Sequence, residues 1–393
     1  MKISIIITSI CSVLILSNCT HSTRPLASAP AAITKGPESQ DSKASVKEWV
    51  ERKYSDIVQQ KDIPALSVGI IYEGETLGFF NYGSQSRGSD IYVDEHSIFQ
   101  IASLSKTLTG IATQKLINDG KLDMDMPLST YLSSVLATPA QSTLRSVTFG
   151  QLLQHQSGIK NDDCYVYKTR VDGEVWLDGY TRRQLVDDIN KIHLDESAEP
   201  KFDYSNCGYA IVGLIDEIAT DKDYAAIVHN NVASKYGMTD TVVNLNEAQK
   251  KRLVVPYRKD ARQVATGVYV MGYATPGSGV YSTVSDLLSL QVYQLRAYRK
   301  YAASGQRSEL ILTETTSPGP RPNFRFGTGM IEVQHPKGTF YLHDGDLDGF
   351  AGVYAFSPEH NIGVVAQTSS GGPWVPESAI ETLVGLIDME QTR

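Results

Sequence analysis

Apolar residues come in short blocks toward both ends of the chain and recur at helical spacing through its middle. Val46, Trp49 and Val50 open an amphipathic helix near residue 46. The run Ala65-Leu66-Ser67-Val68-Gly69-Ile70-Ile71-Tyr72, the turn Glu73-Gly74-Glu75 and the following Thr76-Leu77-Gly78-Phe79-Phe80 predict a β-hairpin. Ile98, Phe99 and Ile101 then lead, strand-like, into Ser103. Beyond it Leu104, Leu108, Ile111, Ala112, Leu116 and Ile117 follow a helical period as far as Gly120, a helix stop. Helical patterns fill 127–135, 148–154, 181–192, 209–218 and 224–234. Short apolar or alternating runs return at 324–333, 339–343, 349–355 and 362–367, with helices at 285–298 and 377–389. Sheet, helical insertion, sheet reads as an α/β fold with an all-α lobe: 46–120 and 260–393 for the first, 121–259 for the second.

With 393 residues, 41% hydrophobic and 20% charged, the chain can bury a large core. A net charge of −8 and the lack of any basic block argue against a nucleic-acid partner. Lys2 and the mostly apolar run from Ile3 to Leu16 read as an export signal over 1–19, too short to span a bilayer. Its end, Leu16-Ser17-Asn18-Cys19, resembles a bacterial lipoprotein signal, which would make Cys19 the lipidated first residue; ordinary cleavage near Ala27-Ser28-Ala29 is the alternative. The expected location is the bacterial cell envelope or periplasm, with membrane contact only through such an anchor. Residues 20–45, rich in Ser, Thr, Ala and Pro, read as a disordered tether. Of the four cysteines, Cys11 lies in the signal and Cys19 at its end. That leaves Cys164 and Cys207 for a disulfide in an oxidising space, or for two buried thiols.

Ser103 and Lys106 stand three apart on one helical face, close enough for an amine to hydrogen-bond a hydroxyl. A desolvated lysine with a lowered pKa can take the serine proton, and the helix N-terminus adds N–H groups for an oxyanion. The plainer reading is an N-capping serine beside a solvated lysine. A second match, Ser157-Gly158-Ile159-Lys160, reads as loop and puts nothing on a common face. Tyr204-Ser205-Asn206 is the one Y-x-N among 21 tyrosines and sits at a helix entry. His343-Asp344-Gly345 ends a predicted strand, where glycine lets backbone approach a ligand.

Together Ser103-x-x-Lys106, Tyr204-x-Asn206 and His343-x-Gly345 resemble the active-site set of the serine penicillin-recognising hydrolases: class C β-lactamases, D,D-carboxypeptidases, D-aminopeptidases and related esterases. The segments 152–159, 237–241 and 279–287 resemble that superfamily's connecting stretches, so the similarity covers nearly all of 46–393. The resemblance implies an antiparallel sheet flanked by helices with an inserted all-α lobe, the β-lactamase/transpeptidase architecture. It implies that Ser103 is acylated, that Lys106 and Tyr204 share the proton, that Asn206 holds Lys106 and substrate amide, and that His343 orients Tyr204. The N–H groups of Ser103 and Asp346 would form the oxyanion hole, with Asp344 and Gly345 beside it. No cofactor or metal is implied. Asp344, Asp346, Asp348 and Gly349 begin like a calcium loop, but its twelfth position is Ala355 instead of Glu. H-E-x-x-H and G-x-S-x-G do not occur.

Class C β-lactamases carry Lys-Thr-Gly where this chain has His343-Asp344-Gly345, and histidine there is seen more in D-peptidases and esterases. Asp344 and Asp346 put negative charge near the oxyanion hole. Two like charges about 5 Å apart at an effective dielectric of ~20 repel by about 3 kcal/mol. A free carboxylate on the substrate is therefore disfavoured unless an arginine compensates, with Arg321 and Arg325 as candidates. The expected activity is an exported acyl-serine hydrolase acting on a small peptide, amide or ester, D-configured peptides first. Esterase comes next, then β-lactamase with β-lactams as acylating ligands. A non-catalytic penicillin-binding receptor is the reading from a different class.

Overall fold

The structure is a computed structural model that describes residues 38–168, 179–261 and 264–392. The expected export signal over 1–19, with Cys11 and Cys19, and positions 20–37 of the expected tether lie outside the described residues. Among the described residues no helix is long and apolar enough to cross a membrane.

The strands are β1 (Ala65–Tyr72), β2 (Glu75–Gly83), β3 (Phe99–Gln100), β4 (Tyr281–Ser282), β5 (Ser317–Pro318), β6 (Phe324–Phe326), β7 (Ile331–His335), β8 (Gly338–Asp346), β9 (Ala351–Ser357) and β10 (Ile362–Thr368). Eight of them form one sheet in the order β2-β1-β10-β9-β8-β7-β6-β5, and β3 pairs with β4 separately. Every pairing is antiparallel. The helices that matter to the site and the sheet are α1 (Glu38–Lys61), α2 (Ser105–Asn118), α3 (Asn206–Thr220), α4 (Thr275–Ser278), α5 (Val284–Ser304) and α6 (Trp374–Gln391).

Both faces of the sheet are covered, which is why β1, β9 and β10 read as continuous apolar runs and are buried throughout. Leu66, Val68 and Ile70 of β1 pack under α1 and α6, in one core with Val50, Tyr54, Leu383 and Leu386. Tyr354, Phe356 and Val365 face the other way, toward α2 and α5, among Leu108, Leu287 and Leu288. A third core, built from Leu116, Leu128, Phe149, Leu153, Ile211 and Leu214, belongs to the helical region beside the sheet. The β1–β2 turn is as tight as its Glu-Gly pair predicts, with positive φ at both Glu73 and Gly74.

Of the boundaries that differ from the pattern, two bear on the tether and the site. Helix α1 starts at Glu38, eight residues before Val46, so the C-terminal part of the expected tether is helical. Those residues have no apolar face of their own, and Lys43 reaches across to Glu73 and Glu75 at the hairpin turn. Strand β8 does not stop at His343. It continues to Asp346, because Asp344, Gly345 and Asp346 stay in register with Val353, Gly352 and Ala351 of β9. Local turn chemistry in Asp-Gly-Asp yields here to the ladder.

Candidate active site

Ser103 lies in a single 3-10 turn, Ala102–Leu104, that feeds α2. Ala102 has a φ of 51°, a left-handed conformation that non-glycine residues rarely hold. Ser105 secures it: its hydroxyl donates to the Ala102 carbonyl at 2.7 Å and accepts from the Val280 N–H at 3.0 Å. Strand β8 presses on the turn from outside. A Cβ at Gly345 would stand 2.6 Å from the Ile101 carbonyl oxygen and 2.9 Å from the Ser103 nitrogen, so only glycine fits. Neither the turn nor α2 is capped by a side chain, and the Ser103 hydroxyl is not spent as an N-cap.

Lys106 is fully buried one turn further on. Its Nζ donates to Asn206 Oδ1 at 2.6 Å and to the Gly277 carbonyl of α4 at 2.7 Å, which in the neutral amine leaves the lone pair for Ser103 Oγ at 3.3 Å. Burial holds the amine well below the usual lysine range, and the Asp344 carboxylate only partly opposes that. The Ser103 hydroxyl is a polar neighbour of the Tyr204 phenol and slightly eases its titration, while burial pushes the phenol's pKa well up. Lys106 Nζ also stands 4.8 Å from the centre of the Tyr204 ring. One partly exposed hydroxyl thus touches an amine whose burial favours the neutral form, with a phenol that keeps its proton beside that amine.

His343 is buried, and its Nδ1–H donates to the Asp344 carbonyl at 2.7 Å. Burial, helped by Lys106, lowers its pKa to about 3, so the ring is neutral and Nε2 is an acceptor. Its ring centre lies 6.4 Å from that of Tyr204. His343 pairs with Tyr354 on the face toward α2 and α5. Asp344 and Asp346 pair with Val353 and Ala351 and so alternate to the face opposite His343. Asp346 meets Lys259 at 3.4 Å. Of the two arginines weighed as counter-charges, Arg325 instead binds the hydroxyl and carbonyl of Thr316, and Arg321 sits in the turn before β6.

Helix α3 positions Asn206. Ser205 is its N-cap, accepting from the Gly208 N–H at 2.8 Å, which leaves Tyr204 just outside the helix. The Asn206 N–H donates to Asn161 Oδ1 at 2.6 Å, and Cys164 is disulfide-bonded to Cys207. The turn at 161–164 is therefore tied to the start of α3 twice. Ser157 and Lys160, the second S-x-x-K pair, do not join the cluster. Ser157 Oγ accepts from the Ile159 N–H, and the exposed Lys160 gives its backbone N–H to Asp163.

The structure thus brings Ser103, Lys106, Tyr204, Asn206, His343 and Gly345 into one cleft from α2, the α3 entry and β8. Motif reading missed Ser105, His155 and Asn161. Each works through backbone groups distant in sequence, and His155 and Asn161 were visible only as members or neighbours of the 152–159 segment.

A family model described as Beta-lactamase matches residues 50–387. Protein flp of Staphylococcus aureus strain MRSA252 is 24% identical over 325 residues, which is 81% of this chain and 62% of that protein. The chain therefore spans less than two thirds of that relative's length. A Beta-lactamase of Providencia stuartii is 22% identical over 348 residues, 81% of this chain and 85% of that one. The solved D-alanine carboxypeptidase AmpC of Burkholderia cenocepacia superposes with a TM-score of 0.71 at 20% identity, over 88% of this chain and 99% of that one. At that identity the likeness is one of fold.

Proposed function

The chain belongs to the beta-lactamase family, a family of serine hydrolases as a class, and from that premise we propose that it is an exported hydrolase that acylates Ser103, with D-configured peptides or amides as substrates. One observation carries the reading: the Ser103 hydroxyl has Lys106 Nζ at 3.3 Å, and that amine, buried and with its pKa depressed, lies 4.8 Å from the Tyr204 ring. A neutral Lys106 accepts the serine proton as Oγ attacks the carbonyl carbon. Tyr204 then passes its proton to the departing amine and takes up the one held by Lys106; in the second half water gives a proton to Lys106 as its oxygen attacks the acyl carbon, and that proton returns to Ser103 Oγ as the acid leaves. Asn206 holds Lys106 in place, and neutral His343, with its ring centre 6.4 Å from that of Tyr204, keeps Nε2 as an acceptor. The N–H groups of Ser103 and Asp346 receive the oxyanion, and loss of one such donor costs on the order of 10²–10³ in rate.

The substrate class rests on the His343-Asp344-Gly345 strand, which lacks the Lys-Thr pair that binds a β-lactam carboxylate, and on the fold likeness to a D-alanine carboxypeptidase. The apolar segment before Cys19 supports the export part of the reading. The test is a fluorophosphonate or fluorescent penicillin on wild type and Ser103→Ala, followed by a panel of D-amino-acid amides, D-Ala-D-Ala peptides, p-nitrophenyl esters and nitrocefin. Labelling of wild type alone, with D-amides or D-peptides turned over best, is the expected result. Labelling of neither would favour a binding protein without catalysis, and a preference for esters or nitrocefin would move the assignment within the family.

A further inference from the structure

His155 belongs to none of the three motifs, yet it is buried against the phenol on which the proposed chemistry turns. It follows the short helix Phe149–Leu153 with a φ of 59°, the left-handed turn that usually takes glycine or asparagine. Its backbone carbonyl accepts from the Asp203 N–H at 2.8 Å, and its Nδ1 accepts from the Ser205 N–H at 3.1 Å. The backbone N–H groups of the two residues that flank Tyr204 are therefore held by one residue. The imidazole also lies 4.4 Å from the Tyr204 ring, tilted by 32°, and is enclosed by Phe202, Tyr209 and Phe326 at 5.3 to 6.0 Å. Burial, with Lys106 and His343 nearby, keeps this ring well below the usual histidine range. A neutral ring leaves Nδ1 free to accept, and a protonated one would forfeit the bond to Ser205.

We propose that His155 is a positioning residue for Tyr204: through Nδ1 it fixes Ser205, and through its ring it backs the phenol, so that the hydroxyl of Tyr204 meets that of Ser103. The inference rests on the acyl-serine reading of the site. It assigns His155 no proton transfer of its own. Its work is done through the angle at which Tyr204 leaves the backbone and through the N-cap of α3, which sets Asn206 and hence Lys106.

Two variants separate the atom from the ring. His155→Asn keeps an acceptor near the place of Nδ1 and tolerates the left-handed backbone; His155→Phe keeps a ring and removes the acceptor. Steady-state kinetics on the best substrate of the panel are read per folded molecule, counted by near-UV circular dichroism. His155→Asn should keep kcat within about threefold, whereas His155→Phe should lose about tenfold or more in kcat with KM changed less than about twofold. Wild-type kcat in both variants would overturn the assignment, and so would equal losses in both with KM rising in step, the mark of general loosening. A wild type that neither takes the probe nor turns over substrate is a different result, since it would remove the acyl-serine reading itself.

Discussion

The chain holds two S-x-x-K sequences fifty-four positions apart, and they share spacing and nothing else. At Ser103 and Lys106 the first turn of a helix carries both residues inward against a strand and a second helix entry. The amine loses its water, gains Asn206 and Gly277 as acceptors, and its pKa falls. At Ser157 and Lys160 the same residue types lie in an irregular segment, the serine bonds its own loop, and the amine faces solvent. Spacing makes a nucleophile and base pair possible; desolvation by the rest of the fold is what lowers the amine's pKa, as the proposed chemistry requires.

The largest effect should come from removing the buried amine. Lys106→Met fills similar volume without a base, and kcat/KM should fall by about a thousandfold or more, roughly 4 kcal/mol of transition-state stabilisation. Fluorophosphonate labelling rates measure it directly. Labelling within about tenfold of wild type would mean that Tyr204 alone activates Ser103, and the contrast between the two pairs would lose its physical basis.

The same low-dielectric interface must act on acids in the opposite sense, which gives a second handle. Asp216 of α3 is fully buried behind α2, accepts from Thr113 at 2.7 Å, and burial raises its pKa to about 8. Its folded pKa lies above the unfolded value, so the folded state binds the extra proton. That contribution is complete below about pH 4 and is lost as pH rises toward 8. Between pH 5 and 8 the wild type should lose on the order of 3 kcal/mol that Asp216→Asn, neutral throughout, does not lose. Urea unfolding of both proteins at the two pH values gives the difference. Parallel curves would show that this interior is wetter than its packing suggests, and the depressed amine of Lys106 would be in question with it.

A smaller effect tests the strand that seats the turn. Gly345→Ala places a methyl 2.6 Å from the Ile101 carbonyl oxygen and 2.9 Å from the Ser103 nitrogen. Both atoms are backbone and both distances are shorter than a real Cβ tolerates, so the turn itself must move, and kcat should fall by about ten- to a hundredfold. Unchanged kcat would mean that the turn is free to give way and that the pressure from β8 does not matter.

Much of this was legible in the chain, and the reasons are physical. The hairpin of β1 and β2 announces itself because a strand covered on both faces must be apolar along its whole length. Helix α2 shows because its buried side repeats at helical spacing. Ser103, Lys106, Tyr204, Asn206 and His343 could be named because short-range spacing encodes which side chains share a face or a turn. What stayed hidden depends on partners far along the chain. The extension of β8 through Asp344 and Asp346 is set by β9, and it turns both carboxylates away from the face of His343. Lys259 beside Asp346, and Asn161 and His155 around Tyr204, act across long sequence separations that no local pattern records.

The least effect is expected at the second pair, and it is the sharpest check on the comparison. Lys160→Ala removes an exposed side chain whose backbone N–H, the group that bonds Asp163, remains in place. Stability should stay within about 0.5 kcal/mol and kcat/KM within about twofold, as for surface positions away from buried networks. Lys160 nonetheless lies next to Asn161, whose side chain holds the Asn206 N–H at 2.6 Å. A loss of activity at unchanged stability would therefore show that the exposed lysine steers the turn that anchors α3. The two S-x-x-K sequences would then be mechanically linked through Asn161, and the claim that burial alone separates them would have to be abandoned.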